Sequence, residues 1–186
     1  MSAAGITAEK RLPGDADKET LLAQIIRVDH AGEYGAKRIY EGQLAILGKT
    51  DAAPILNEML AQEEKHLAAF NIIMTERRVR PTALEPLWHV AGFALGAATA
   101  MLGKEAAMAC TAAVEEVIGE HYAEQTHLLG DDERELRDAI DGFRKDELHH
   151  RDVSLQHGAE TAPAYVPLTA VIKTGTRLAI WLSKRI

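Results

Sequence analysis

The chain has 186 residues, enough for one domain with a sizeable core. Its formal net charge of −7 argues against a nucleic-acid binder, which carries a basic surface, and its single cysteine excludes a disulfide framework, a Cys-based zinc cluster and a rubredoxin-type CxxC pair. Apolar residues make up 47% but aromatic residues only 5%, and with Ala, Leu, Glu and Gln abundant this favours helix over strand.

Residues 1–16 read as a flexible lead-in. They lack the apolar core of a signal peptide and are too acidic for a transit peptide, so the chain is expected to be bacterial or a mature form. Residues 17–186 read as a single domain. Its first helix runs from about Lys18 to Leu47 and stops at Gly48; the turn GKTD follows, with Asp51 expected to cap a second helix that carries Pro54 in its first turn. That helix ends near Arg78, before Pro81, and a third segment follows Pro86. A fourth helix spans about Lys104 to Leu129, with Cys110 a small core residue inside it. Asp131 or Asp132 is expected to cap a fifth helix reaching His157. ETAPAYVP then breaks the chain, and a last helix covers about Leu168 to Lys184. No stretch alternates like a strand.

Helical periodicity locates the chemistry. One face of the fifth helix reads Leu136, Ile140, Phe143, Glu147, His150, Ser154, His157, a core stripe interrupted by Glu147 and His150, whose ExxH spacing puts both on one side of a helix. The competing face, through Asp146 and His149, is a poorer core stripe. The second helix repeats the pattern: Leu56, Met59, Glu63, His66, Phe70, Ile73. A carboxylate in an apolar core is costly unless paired or bound to metal, so two such interruptions ask for one cause. The first and fourth helices each present a core-facing glutamate, Glu33 and Glu115; the stripe and matching depth favour these over Glu41 and Glu116. At about 1.5 Å rise per residue, the two glutamates of each hairpin fall at similar heights, within roughly 5 Å.

Four glutamates and two histidines converging in a bundle form the ligand set of ferritin-like proteins with a pair of iron or manganese ions. Four carboxylates balance two divalent ions, and the oxygen and nitrogen donors suit those metals. The expected fold is therefore all-α: a ferritin-like four-helix bundle built from two helical hairpins, plus an apolar crossover helix and a C-terminal helix. His121 and Tyr122, one turn or so beyond Glu115, are candidates for managing protons or supporting a ligand; a satisfied polar core residue is the alternative for each. Asp29, a turn before Glu33, could orient a ligand, with Arg27 and His30 as competing local partners.

RVDHAGEYGAKRIYEGQ (27–43), LAQEEKHLAAFN (60–71), PLWHVAGFALGAATAMLGKEAAMACTAAVEE (86–116) and the later APAY resemble the demethoxyubiquinone hydroxylase family, di-iron monooxygenases of ubiquinone biosynthesis. The resemblance runs from about Leu21 to the C-terminus. It assigns Glu33, Glu63, His66, Glu115, Glu147 and His150 as ligands of two Fe ions, and sets His121 and Tyr122 at the family's His-Tyr pair. HHR stands at 149–151 where the family pattern reads EHH, which keeps His150 in register and removes a following histidine. The resemblance implies hydroxylation of a long-tailed demethoxyubiquinol by O2, with NADH or quinol-derived electrons, and a lipid-binding helper protein as partner; it leaves a homo-oligomer open. No Gly-rich nucleotide loop is readable, so any NADH contact is unconventional.

Residues 86–103 contain no Asp, Glu, Lys or Arg. Pro86, His89 and the many small residues weaken a membrane span, and the segment reads as a helix lying in the bilayer surface and covering one end of the bundle; a buried crossover helix is the alternative. The last helix, apolar on one side with Lys173, Arg177, Lys184 and Arg185 around it, can bind an anionic membrane or pack on the bundle. The expected location is thus peripheral, on the cytoplasmic face of a bacterial inner membrane or the matrix face of the mitochondrial one. Two rival functions are a ferritin-like iron-oxidising or storage protein, whose connecting segment would be more polar, and a non-enzymatic membrane-associated helical module, which has no use for six metal-type residues at matched depth.

Overall fold

The computed structural model describes residues 16–186. All but the last residue of the expected lead-in lies outside that range. Six helices make up the fold: α1 (Lys18–Leu47), α2 (Ala53–Arg77), α3 (Glu85–Met101), α4 (Lys104–Leu128), α5 (Arg134–Gln156) and α6 (Tyr165–Ser183), and no strand occurs among the described residues.

The helix ends follow from local chemistry, not always at the expected residue. Asp17 caps α1 by accepting from the Thr20 amide at 2.7 Å. Asp51 does not cap α2: Ala52 holds that position without a side-chain bond, and Asp51 instead accepts from Lys104 at 2.8 Å, tying the starts of α2 and α4 together. Neither Asp131 nor Asp132 caps α5. Both lie in a short 3-10 turn, paired with Arg137 and Lys18, and Glu133 precedes the helix. α6 starts three residues earlier than expected, because Pro167 sits in its first turn, where a missing N–H costs nothing.

Facing residues give the topology. Along α1 and α4, Asp29 meets Gln125, Glu33 meets Tyr122 and Tyr40 meets Glu115, so these helices are antiparallel. Along α2 and α5, Gln62 meets His150, His66 meets Asp146 and Arg77 meets Glu133, again antiparallel. Two hairpins, α1–α2 and α4–α5, thus form the bundle, and α3 is the long crossover between them.

α3 does not cover an end of the bundle. It runs parallel to α1, from His89 beside Tyr34 to Phe93 and Ala97 beside Gly42. Glycines permit this approach: a Cβ at Gly96 would collide with the Ile39 carbonyl, and one at Gly42 with the Phe93 carbonyl. α6 lies along α4, where Lys173 and Arg177 pair with Glu116 and Glu120 at 2.6 and 3.0 Å. Both cations are thus paired with acids of α4; Lys173 is partly buried and Arg177 stays half exposed. Leu87 and Val90 of α3 and Leu178 and Trp181 of α6 remain exposed. Among the described residues, no helix is long and apolar enough to cross a membrane.

Two apolar layers flank the middle of the bundle. One gathers Ile26, Phe70, Ile118 and Ile140; the other gathers Leu56, Met59, Met108 and Ala112. Each fully buried large side chain contributes about 1.5–3 kcal/mol, so both layers are strong. Glu33, Glu63, Glu115 and Glu147 lie between them in sequence on their respective helices and are all buried.

Candidate metal centre

The structure brings all six expected ligand residues together. Donor atoms of Glu33, Glu63, His66 and Glu147 lie within 4.8 Å of one another, and so do those of Glu63, Glu115, Glu147 and His150. Glu63 and Glu147 belong to both groups. Each group adds one further glutamate from α1 or α4 and one histidine from α2 or α5, the arrangement of two metal positions sharing two carboxylates. Glu116 and Glu41 are elsewhere: Glu116 binds Lys173, and Glu41 pairs with Lys37 and Arg38 on the surface of α1. His149 is exposed.

The histidines present the same nitrogen inward. His66 Nδ1 lies 3.1 Å from Glu147 Oε1 and 3.4 Å from Glu33 Oε2. His150 Nδ1 lies 3.1 Å from Glu63 Oε1 and 3.5 Å from Glu147 Oε2. Their outer nitrogens are held: His66 Nε2 donates to Asp146 at 3.1 Å, and His150 Nε2 donates to Gln62 at 2.5 Å. A proton fixed on Nε2 leaves Nδ1 free as a lone-pair donor. The outer glutamates are steadied as well. Tyr122 donates to Glu33 Oε1, and Tyr40 donates to Glu115 Oε1 at 2.8 Å.

The electrostatics are those of a site short of positive charge. Burial, reinforced by neighbouring carboxylates, pushes Glu63 and Glu115 well above the ordinary glutamate range. Burial also raises Glu33, against the opposing influence of nearby His66. Burial acts to raise Glu147 too, but the closeness of His150 and His66 prevails and holds it down to about 2. His66 is raised to about 11, the pull of Glu147 and Glu33 exceeding the cost of burial. Even so, both oxygens of Glu63 and of Glu147, Oε2 of Glu115 and Nδ1 of both histidines have no hydrogen-bond partner among the described residues. Buried polar atoms are rarely left so. Two divalent cations would satisfy these atoms together, and the donor set fits them.

His121 stands apart from the cluster. It contacts Gln125 at 2.9 Å and lies 3.9 Å from Asp29, and burial pushes it down to about 3. Asp29 accepts from Gln125 at 2.6 Å; its expected local partners are engaged otherwise, Arg27 with the Arg80 carbonyl and His30 with Asn71. Tyr40, Gln62, Asp146 and Gln125 were not singled out by sequence reasoning. A signal existed: Gln62 and Asp146 each immediately precede the glutamate of an ExxH, and Tyr40 and Tyr122 each follow a core glutamate by seven residues.

An apolar cavity of about 340 Å³ opens between α1, α3, α4 and α6. Its wall includes Gly32 and Val114, the chain neighbours of Glu33 and Glu115, and extends past Gly35, Trp88, Leu95 and Ala179.

Comparison with known proteins agrees with this architecture. The family model for the ubiquinone biosynthesis protein COQ7 matches residues 20–183. The chain is 57% identical over 181 residues to the 3-demethoxyubiquinol 3-hydroxylase of Rhodospirillum rubrum, covering 97% of this chain and 85% of the relative. It is 55% identical over 167 residues to the mitochondrial NADPH-dependent 3-demethoxyubiquinone 3-hydroxylase of Homo sapiens, covering 88% and 77%. It is 42% identical over 182 residues to the mitochondrial 5-demethoxyubiquinone hydroxylase of Saccharomyces cerevisiae, covering 89% and 78%. Matches of this strength over nearly the whole helical bundle place the chain in the COQ7 family of ubiquinone biosynthesis proteins.

Proposed function

We propose that the chain is an O2-dependent di-iron monooxygenase that hydroxylates the ring of a demethoxyubiquinol. The observation that carries this reading is the pair of four-residue groups sharing Glu63 and Glu147, with their inward atoms unpartnered, beside an apolar cavity. The names of the relatives supply the substrate class.

In this reading Glu33 and His66 would hold one iron and Glu115 and His150 the other, with Glu63 and Glu147 available to both. Iron bound there would supply the electrons and the oxygen-activating chemistry. The chain supplies the rest. The apolar layers exclude bulk water, and the cavity seats the quinol ring against the α1 and α4 wall, with its tail leaving between α3 and α6. Tyr122 and Tyr40 hold the outer carboxylates in place. His121, kept neutral by burial, accepts from the Gln125 amide that also donates to Asp29, and so helps fix that buried carboxylate one turn before Glu33.

The exposed Leu87, Val90, Leu178 and Trp181 flank the same cavity helices, so this face is proposed to rest on the bilayer that carries the substrate. Relatives named as NADPH-dependent point to a nicotinamide dinucleotide as reductant.

The test is aerobic turnover of demethoxyubiquinol by iron-loaded protein with NADPH or NADH and isotopically labelled O2, with the product read by mass. One labelled oxygen on the ring is expected. No ring oxygenation by protein carrying its full iron would refute the reading, and bulk Fe(II) oxidation far beyond two ions per chain would favour an iron-storing protein.

A further inference from the structure

The centre is built on an approximate two-fold relation between the hairpins. Tyr40 is to Glu33 as Tyr122 is to Glu115, and each tyrosine donates to the other helix's glutamate. Gln43 and Gln125 stand at matching places too; Gln43 donates to Thr111 at 3.2 Å and Gln125 to Asp29 at 2.6 Å. Gln62 and Asp146 complete the set, each preceding an ExxH glutamate and each accepting from the other helix's histidine.

The relation fails chemically at two of these places, and both failures point the same way. His66 is backed by the carboxylate Asp146, while His150 is backed by the neutral amide of Gln62. Asp29 lies a turn before Glu33, where Thr111 lies a turn before Glu115. The acidic residues both fall on the Glu33/His66 side. The outer tyrosines are matched and the bridging glutamates are shared, so neither offsets this difference.

A carboxylate accepting from an imidazole N–H raises the basicity of the opposite nitrogen and adds negative charge near the metal; an amide orients the ring without adding charge. The Asp146 side chain is 46% exposed, so solvent screens part of its charge, but its bond to His66 is made on the buried ring. Resting on the metal assignment proposed above, we infer that Asp146 and Gln62 are positioning residues that make the two metal positions unequal. The Glu33/His66 position takes the first ion, and the Glu115/His150 position takes the second more weakly.

The test uses cobalt(II), titrated anaerobically into the full-length metal-free protein and followed by visible absorbance and calorimetry. Wild type is expected to bind two ions in two resolved steps. Asp146→Asn keeps the hydrogen-bond acceptor and removes the charge; it should weaken the first step about tenfold and leave the second nearly unchanged. Gln62→Glu adds the charge on the other side; it should strengthen the second step about tenfold, and both variants should narrow the gap. A merely structural effect would weaken both steps together, and unchanged thermal stability excludes misfolding. Two equal steps in wild type, a gap that neither variant moves, or a gap that Gln62→Glu widens would overturn the inference. Failure to bind two ions at all would instead remove the metal assignment beneath it.

Discussion

Tyr40 and Tyr122 are exchanged across the centre: each lies seven residues beyond the core glutamate of its own helix, and each donates its hydroxyl to the glutamate of the other. The exchange clamps α1 to α4 at the height of the candidate metal centre. Tyr40→Phe should leave the fold intact, cost about 1 kcal/mol of stability for the lost bond, and weaken metal held by Glu115 and His150 about tenfold. Thermal denaturation of the metal-free protein and iron content after limited loading measure the two effects. Unaltered iron affinity would show that the hydroxyl does nothing for the ligand.

The adjacent histidines of α5 give a sharp contrast. His150 is buried with Nδ1 facing Glu63, and His149 is exposed. His150→Ala should lower iron affinity by more than about tenfold and abolish hydroxylation, while His149→Ala should retain both. Iron analysis alongside turnover checks this, and equal losses at both positions would contradict the register of α5.

Burial holds Glu63 and Glu115 above the ordinary glutamate range, so the metal-free protein binds protons there more tightly than free glutamate does, and metal competes with those protons. Metal uptake should release protons, seen by calorimetry in buffers of different ionisation enthalpy, and affinity should rise with pH. The stability linkage has a definite sign. A folded-state pKa raised above the unfolded value means that the folded protein binds more protons, so these groups cost stability as pH rises beyond the unfolded value. His66, raised to about 11, adds to that loss above its ordinary value. His121, held down to about 3, acts the other way only below its ordinary value. The metal-free protein should therefore lose stability between about pH 7 and about pH 9, and bound metal should flatten the slope. A metal-free stability that rises over that interval would contradict the assignment.

Gly35 lines the apolar cavity, and a Cβ there meets nothing within 4 Å. Gly35→Leu should fill space proposed for the quinol without disturbing the helix, which gains about 0.5–1 kcal/mol by losing a mid-helix glycine. The expected result is a KM for long-tailed quinol raised about tenfold or more, with iron content unchanged; an unchanged KM would place the substrate elsewhere.

The helices and the six converging residues were legible because helical periodicity exposes a charge in a core stripe, as with Glu63 between Met59 and Phe70. The partners of the histidines were not. Asp146 is half-exposed, lies off the core stripe, and reaches His66 only through the α2–α5 crossing, a contact between residues far apart in sequence. Tyr40 lies seven residues after Glu33 on the same helix, but a buried tyrosine does not announce its acceptor. Asp51 and Asp131 have capping chemistry at plausible places, yet Lys104 and Arg137 engage them, and tertiary pairing wins over the local cap. The course of α3 depends on Gly42 and Gly96 meeting another helix's backbone, which no one-dimensional pattern specifies.

The most direct measurement is anomalous diffraction from crystals of the iron-loaded protein, collected on both sides of the iron absorption edge. The expected result is two peaks roughly 3.5–4 Å apart in the middle of the bundle, both touching Glu63 and Glu147, one also touching Glu33 and His66 and the other Glu115 and His150. A single peak, or iron bound only at surface carboxylates with this cluster left empty, would contradict it.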